Sequence, residues 1–145
     1  MKSNTGFTLL EILLSIALIS ILVGVSLPVY YTLFSRNDLD VAKNQVSQSL
    51  GRASFLSGAS VGDTNWGVKV LSGNIVIFKG TSYSGRDTNY DEIYGISSSI
   101  VPSGLSEVVF YKMTGYPLST GSIILTSTNG ETRTITINSK GSVSY

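Results

Sequence analysis

The chain has 145 residues, enough for one domain with a modest core. With no Cys and no His it has no disulfide framework, no thiolate or imidazole metal site, no Ser-His-Asp or Cys-His triad and no histidine acid–base chemistry. A net charge of +1 supplies no strong field for nucleic acid or anionic lipid, and only 13% charged residues accompany a mean hydropathy of +0.25.

The apolar excess lies at the N-terminus, where Ile12 to Ser35 form 24 residues without a charge. As a helix, Phe7 to Leu27 spans roughly 31 Å at about 1.5 Å per residue, which matches a hydrocarbon core of about 30 Å. A cleaved secretory signal has a shorter apolar run and no internal acid. A plain signal anchor accounts for the length and for Lys2 on the cytoplasmic side, but it leaves Glu11 unexplained. An acid in a membrane span costs about 2.5–3.5 kcal/mol at mid-bilayer on insertion scales, so it normally has a partner or a task.

The hexapeptide Gly6-Phe7-Thr8-Leu9-Leu10-Glu11 resembles the prepilin processing site of type IV pilins and type II secretion pseudopilins. The resemblance implies a leader, Met1 to Gly6, that a prepilin peptidase/methyltransferase cuts after Gly6, N-methylation of Phe7, and retention of Glu11 for assembly. Pro28 falls where members of that family carry a helix-bending proline. Glycine at position 6 leaves extended backbone unobstructed for a protease at the membrane face. Cutting there frees an ammonium on Phe7 at the head of an apolar helix. In a dry filament core an unpaired charge is costly, so the Glu11 carboxylate is expected to neutralise that amine in its own chain or a neighbour.

Helical periodicity continues past the apolar run. Leu39, Ala42, Val46, Leu50, Ala53 and Leu56 recur at steps of three and four, which predicts one helix from about Phe7 to about Ser57 with Gly58 as its C-cap. Pro28 is expected to bend or loosen it. The amphipathic stripe is expected to pack on a sheet.

After a loop from Gly58 to Asn65 the pattern turns strand-like, with Trp66, Val68 and Val70 alternating against Gly67, Lys69 and Leu71. A turn over 72–74 leads to a strand over 75–78, and the polar stretch Gly80 to Glu92 reads as a loop. Further strands are predicted over 93–97, 107–113, 122–126, 132–138 and 141–145, with Asn129-Gly130 as a hairpin turn. Alternation suggests antiparallel sheets with one wet face. The fold class is α+β, with the type IV pilin-like architecture that the resemblance implies. Its parts are a leader over 1–6, a transmembrane and assembly helix over 7–28, an amphipathic continuation over 29–58 and an antiparallel β domain over 59–145. The strand motifs Trp66-Gly67-Val68, Val76 to Gly80, Val108-Val109-Phe110 and Thr134 to Asn138 resemble the GspH/FimT minor-pilin branch.

Weaker signals lie in the β domain. Asp87, Asn89 and Asp91 have the alternate spacing that opens calcium loops, but Glu92 stands where a glycine belongs and no acid closes the frame, so no metal is expected. Some FimT relatives bind DNA through C-terminal basic residues, and here Arg133 and Lys140 are too few to clamp phosphates. Adjacent Asp91 and Glu92 are not a glycosidase pair. Tyr83, Tyr90, Tyr94 and Trp66 are candidates for a binding surface. No enzymatic activity or cofactor is implied. The expected role is a structural subunit of a type IV pilus or type II secretion pseudopilus. Its partners are other pilin or pseudopilin subunits, the processing enzyme, an inner-membrane assembly platform and, before assembly, the lipid bilayer. The alternative is a membrane-anchored extracytoplasmic binding module such as a FimT-like DNA-uptake pilin.

Overall fold

The computed structural model describes residues 6–144, except for the side chains of residues 25–32. The leader residues 1–5 and the side chain of Pro28 thus lie outside the described residues. One helix, α1, runs Leu9–Gly58, and the chain divides into two compact units, 1–34 and 35–145. In the first unit every residue from Gly6 to Gly24 is exposed. Among the described residues no helix is long and apolar enough to cross a membrane; the predicted span over 7–28 includes residues 25–28, whose side chains are not described.

The second unit is built on two four-stranded antiparallel sheets. β1 is Trp66–Leu71, β2 Asn74–Lys79, β3 Asp87–Gly95, β4 Val101–Gly104, β5 Glu107–Phe110, β6 Gly121–Thr126, β7 Thr132–Ile137 and β8 Val143–Ser144. One sheet has the order β3-β2-β1-β5 and the other β4-β6-β7-β8. The predicted stripe of α1 closes both. Leu39, Ala42, Val46, Leu50, Ala53 and Leu56 are all buried, in one cluster with Trp66, Val68, Val70, Ile75, Ile77 and Phe110 of the first sheet and Ile123, Leu125, Ile135 and Ile137 of the second. Ala42 and Ala53 keep the helix thin where the strands approach it. Each large aliphatic side chain in this cluster contributes about 1.5–3 kcal/mol relative to exposure.

Several elements differ from expectation. The stretch read as a loop over 80–92 contains most of β3, because an edge strand paired only with β2 can carry polar residues on both faces. β4 has no apolar alternation, and its Pro102 is accommodated because β4 is itself an edge. β5 stops at Phe110, where the chain folds back through Tyr111 N–H to Tyr116 C=O (2.8 Å) and a bridge from Phe110 to Pro117. Gly58 is the last helical residue and not the left-handed cap; Ser60 adopts that conformation (φ 54°). The Asn129-Gly130 hairpin is a three-residue turn: Gly130 (φ 82°) donates to Ser127 C=O at 3.0 Å, and Ser127 N–H pairs with Glu131 C=O at 2.9 Å.

The first sheet also lacks a fully wet outer face. Val76, Phe78 and Val109 form a second small core there, over which segment 80–86 folds. Phe78 lies across the bare backbone of its cross-strand partner Gly67, and the Tyr83 ring meets it edge-on at 5.7 Å between centroids. Arg86 stacks on the Tyr83 ring at 3.8 Å and anchors to Asp91 through Nε at 2.8 Å. Leu50→Ala, at the centre of the main cluster, is expected to lower unfolding stability by about 3 kcal/mol, read by urea denaturation of the detergent-solubilised chain.

Candidate processing and assembly site

Gly6, Phe7 and Thr8 precede α1 without regular structure, and all are exposed, Phe7 to 78%. A Cβ on Gly6 would meet no atom of the described residues within 4 Å. Thr8 is the N-cap: its Oγ1 accepts from Glu11 N–H at 3.2 Å, and its carbonyl accepts the first helical bond, from Ile12 N–H, at 3.2 Å. Thr8-Leu9-Leu10-Glu11 therefore has the spacing of a capping box. The Glu11 carboxylate sits in the first turn, where the helix dipole favours an anion. Among the described residues Glu11 enters no ion pair. The threonine's role was readable from its spacing to Glu11, three residues on.

The other nominated residues do not converge. Asp87, Asn89 and Asp91 lie along β3; Asp87 accepts from Asn89 Nδ2 at 3.1 Å, while both Asp91 oxygens are taken by Arg86 Nε at 3.0 and 2.8 Å. Among the described residues no group of three acidic side chains is placed to hold a metal ion. Trp66 is buried in the core with its Nε1 donating to Val61 C=O at 2.8 Å. Tyr83 is the cap on Phe78, Tyr90 carries Lys79 Nζ at 4.0 Å from its centroid, and Tyr94 donates to Glu92 at 3.0 Å. Arg133 is held by Asp40 at 2.8 Å, and Lys140 stands in the exposed turn before β8.

Contacts that no motif foretold tie α1 to the sheets. Arg36 bonds Glu131 (2.8 Å) and Asp40 bonds Arg133 (2.8 Å) on the β7 side, while Arg52 grips Glu92 of β3 with two bonds of 2.5 and 2.6 Å. At the helix end, Ser57 Oγ accepts from Trp66 N–H (2.8 Å) and donates to Phe110 C=O (3.1 Å). One buried hydroxyl thus joins α1, β1 and β5. Beside Arg52, a cleft of about 100 Å³ is lined by Gln45, Gln48, Ser49, Ile77 and Tyr94, and the buried Ser49 hydroxyl has no partner among the described residues.

The profile of a family described as the prokaryotic N-terminal methylation motif matches residues 1–27. The long N-terminal helix packed on antiparallel sheets agrees with the α+β, type IV pilin-like architecture expected from the sequence, while the profile match itself covers only the N-terminal 27 residues. Two fimbrial proteins of Pseudomonas aeruginosa are each 29% identical to it over 110 residues, 74% of this chain and 60% of theirs. The chain therefore spans less than two thirds of the length of the curated relatives it matches. No solved structure matches it.

The ion pairs set a pH response. The Arg52 guanidinium beside Glu92 holds that carboxyl below its ordinary value of 4.5, and Arg133 and Lys112 lower Asp40 and Asp63 below 3.8. Lowered folded-state values mean that the stabilisation is complete above the unfolded values and is lost as pH falls through the folded ones. Stability is expected to hold from neutral pH to about 5 and to decline below 4.5. Arg52→Gln is expected to flatten part of that decline in denaturation midpoints followed from about pH 6 to 3.

Proposed function

We propose that the chain is a structural filament subunit, a minor pilin or pseudopilin, cut after Gly6, methylated on Phe7, and assembled through α1. The observation that carries this reading is the placement of Gly6-Phe7-Thr8 in exposed, irregular backbone directly before a helix that begins at Leu9 and stays exposed on every side to Gly24. A protease needs accessible extended backbone, and an unburied apolar helix needs a bilayer or other helices around it. In this reading residues 7–28 anchor the subunit in the inner membrane with a cytoplasmic N-terminus, and the β domain lies outside. The assembly platform then moves the helix from lipid into a bundle of like helices. Glu11 enters that bundle as the counter-charge to the Phe7 amine, with Pro28 loosening the helix behind it. The strand motifs shared with the GspH/FimT branch favour a minor subunit.

The alternative, a DNA-binding module on a membrane anchor, finds little support, because Arg133 is committed to Asp40. The structural role asks for no catalytic residue and no cofactor.

Co-expression with a prepilin peptidase is expected to yield a chain that begins at Phe7 and carries one added methyl group, read by intact mass. An uncut product with an intact leader overturns the reading. Glu11 has two roles to separate, since it also occupies the third position of the capping box. Glutamine preserves that spacing but removes the charge. Glu11→Gln and Glu11→Ala are both expected to cut filament incorporation by at least about tenfold, equivalent to about 1.4 kcal/mol. Wild-type incorporation of Glu11→Gln would reduce Glu11 to a helix cap.

A further inference from the structure

Among the described residues one buried side-chain hydroxyl is left over. Ser15, Ser20 and Ser47 of α1 spend theirs locally, each donating to the carbonyl four residues back, at 2.7, 2.7 and 2.9 Å. Ser49, on the same helix, does not take that bond. It is buried, and its Oγ has no partner among the described residues. A buried hydroxyl without a partner has lost its water and gained nothing in return, so it points to a group that arrives from outside.

The hydroxyl belongs to the lining of the cleft of about 100 Å³ beside Arg52. Gln45, Ser49 and Arg52 follow one another at steps of four and three on one flank of α1, Gln48 adjoins Ser49, and Ile77 and Tyr94 meet them from the first sheet. Gln48 and Arg52 are exposed and Gln45 is half-buried, so rotation of long side chains at the rim uncovers Ser49 without moving the backbone. The charges here cancel. Arg52 gives Nε and Nη2 to the Glu92 carboxylate, and Tyr94 donates to the same group. A bound anion would meet Glu92 and a bound cation Arg52, which leaves the cleft to a neutral group. Among the described residues Arg52 Nη1 has no partner. With Ser49 Oγ and two glutamine carboxamides it offers donors and acceptors together, beside the apolar Ile77 and the Tyr94 ring. A cavity of about 150 Å³ holds benzene, so 100 Å³ takes about four heavy atoms.

We infer that this cleft is a binding site for a primary carboxamide of about four heavy atoms, the size of acetamide or of an asparagine side chain. The carbonyl oxygen accepts from Arg52 Nη1, the amide nitrogen donates to Ser49 Oγ and to a glutamine Oε1, and the aliphatic end lies toward Ile77 and Tyr94. A carboxamide satisfies donors and acceptors at once, which a hydroxyl or a ketone of that size does not. The inference stands apart from the filament reading, because every group it uses belongs to the globular unit.

Acetamide titrated into the full-length chain in detergent micelles, followed by NMR of isoleucine methyl groups and backbone amides, tests the site. Saturable shifts confined to Ile77, Tyr94 and residues 45–52 are expected, with a Kd of about 1–20 mM, as so small a ligand permits. Acetone, which cannot donate, and acetate, which is charged, are expected to bind at least about tenfold more weakly. Ser49→Ala is expected to weaken acetamide about tenfold while leaving the melting temperature unchanged or raised, since the hydroxyl it removes is unsatisfied in the free chain. Gln48→Ala, at an exposed position, is expected to weaken it at least about threefold. Blocked asparagine, N-acetylasparagine N-methylamide, separates the two sources of the ligand: binding as tight as acetamide assigns the site to a side chain of another polypeptide, and exclusion with acetamide still bound assigns it to a free amide. Either result keeps the carboxamide site. No saturable shift up to about 0.2 M acetamide, an equal response to acetone, or wild-type binding by both Ser49→Ala and Gln48→Ala overturns it and leaves a cleft that holds water only.

Discussion

Six small and aliphatic residues on one stripe of α1, from Leu39 to Leu56, share one core with residues of two separate sheets, and the rest of the globular unit depends on that contact. Each sheet has one face that must leave water, and the helix supplies the opposing surface for both. Removing the helix would expose the inner faces of β1, β2, β5, β6 and β7 together. The alanines matter as much as the leucines, since larger side chains there would lift the helix off the strands and open gaps that forfeit dispersion contacts.

Around that apolar contact, polar groups fix orientation more than they add stability. Exposed ion pairs are worth about 0–1 kcal/mol each. Three of them nevertheless pin the two flanks of α1, Arg36 and Asp40 toward β7 and Arg52 toward β3, and so set which face of the helix looks outward. Ser57 does the same at the end, where a single hydroxyl satisfies backbone groups of two neighbouring strands.

At the other end of the helix, local capping and the proposed assembly chemistry share residues. Thr8 and Glu11 start α1 as a cap and a first-turn acid, a sufficient structural reason for both in an isolated chain. The same Glu11 begins a stretch whose side chains stay open to the surroundings, which no globular protein sustains without a second phase or a partner. A first-turn acid at the surface and the proposed counter-charge in a bundle are compatible, since the observed cap uses the Glu11 N–H and leaves the carboxylate to other partners.

The sequence by itself determined the one-dimensional features: the apolar N-terminal run, the hexapeptide Gly6 to Glu11 that precedes it, the helix from the first to the sixth decade of residues, its buried stripe, and the strands whose side chains alternate, such as β1 and β7. These follow from spacing along the chain, because helical and strand periods project sequence directly onto faces. Only tertiary structure decided that the polar residues 87–92 belong to an edge strand, that Pro102 sits in another, that Tyr83 closes a second core over Phe78, and that Arg52, Arg133 and Ser57 tie the helix to the sheets. Each of these joins residues that leave no mark on local periodicity. Edge pairing and ion pairs between distant segments depend on which surfaces burial has already brought together, and that is settled when the stripe on α1 meets both sheets.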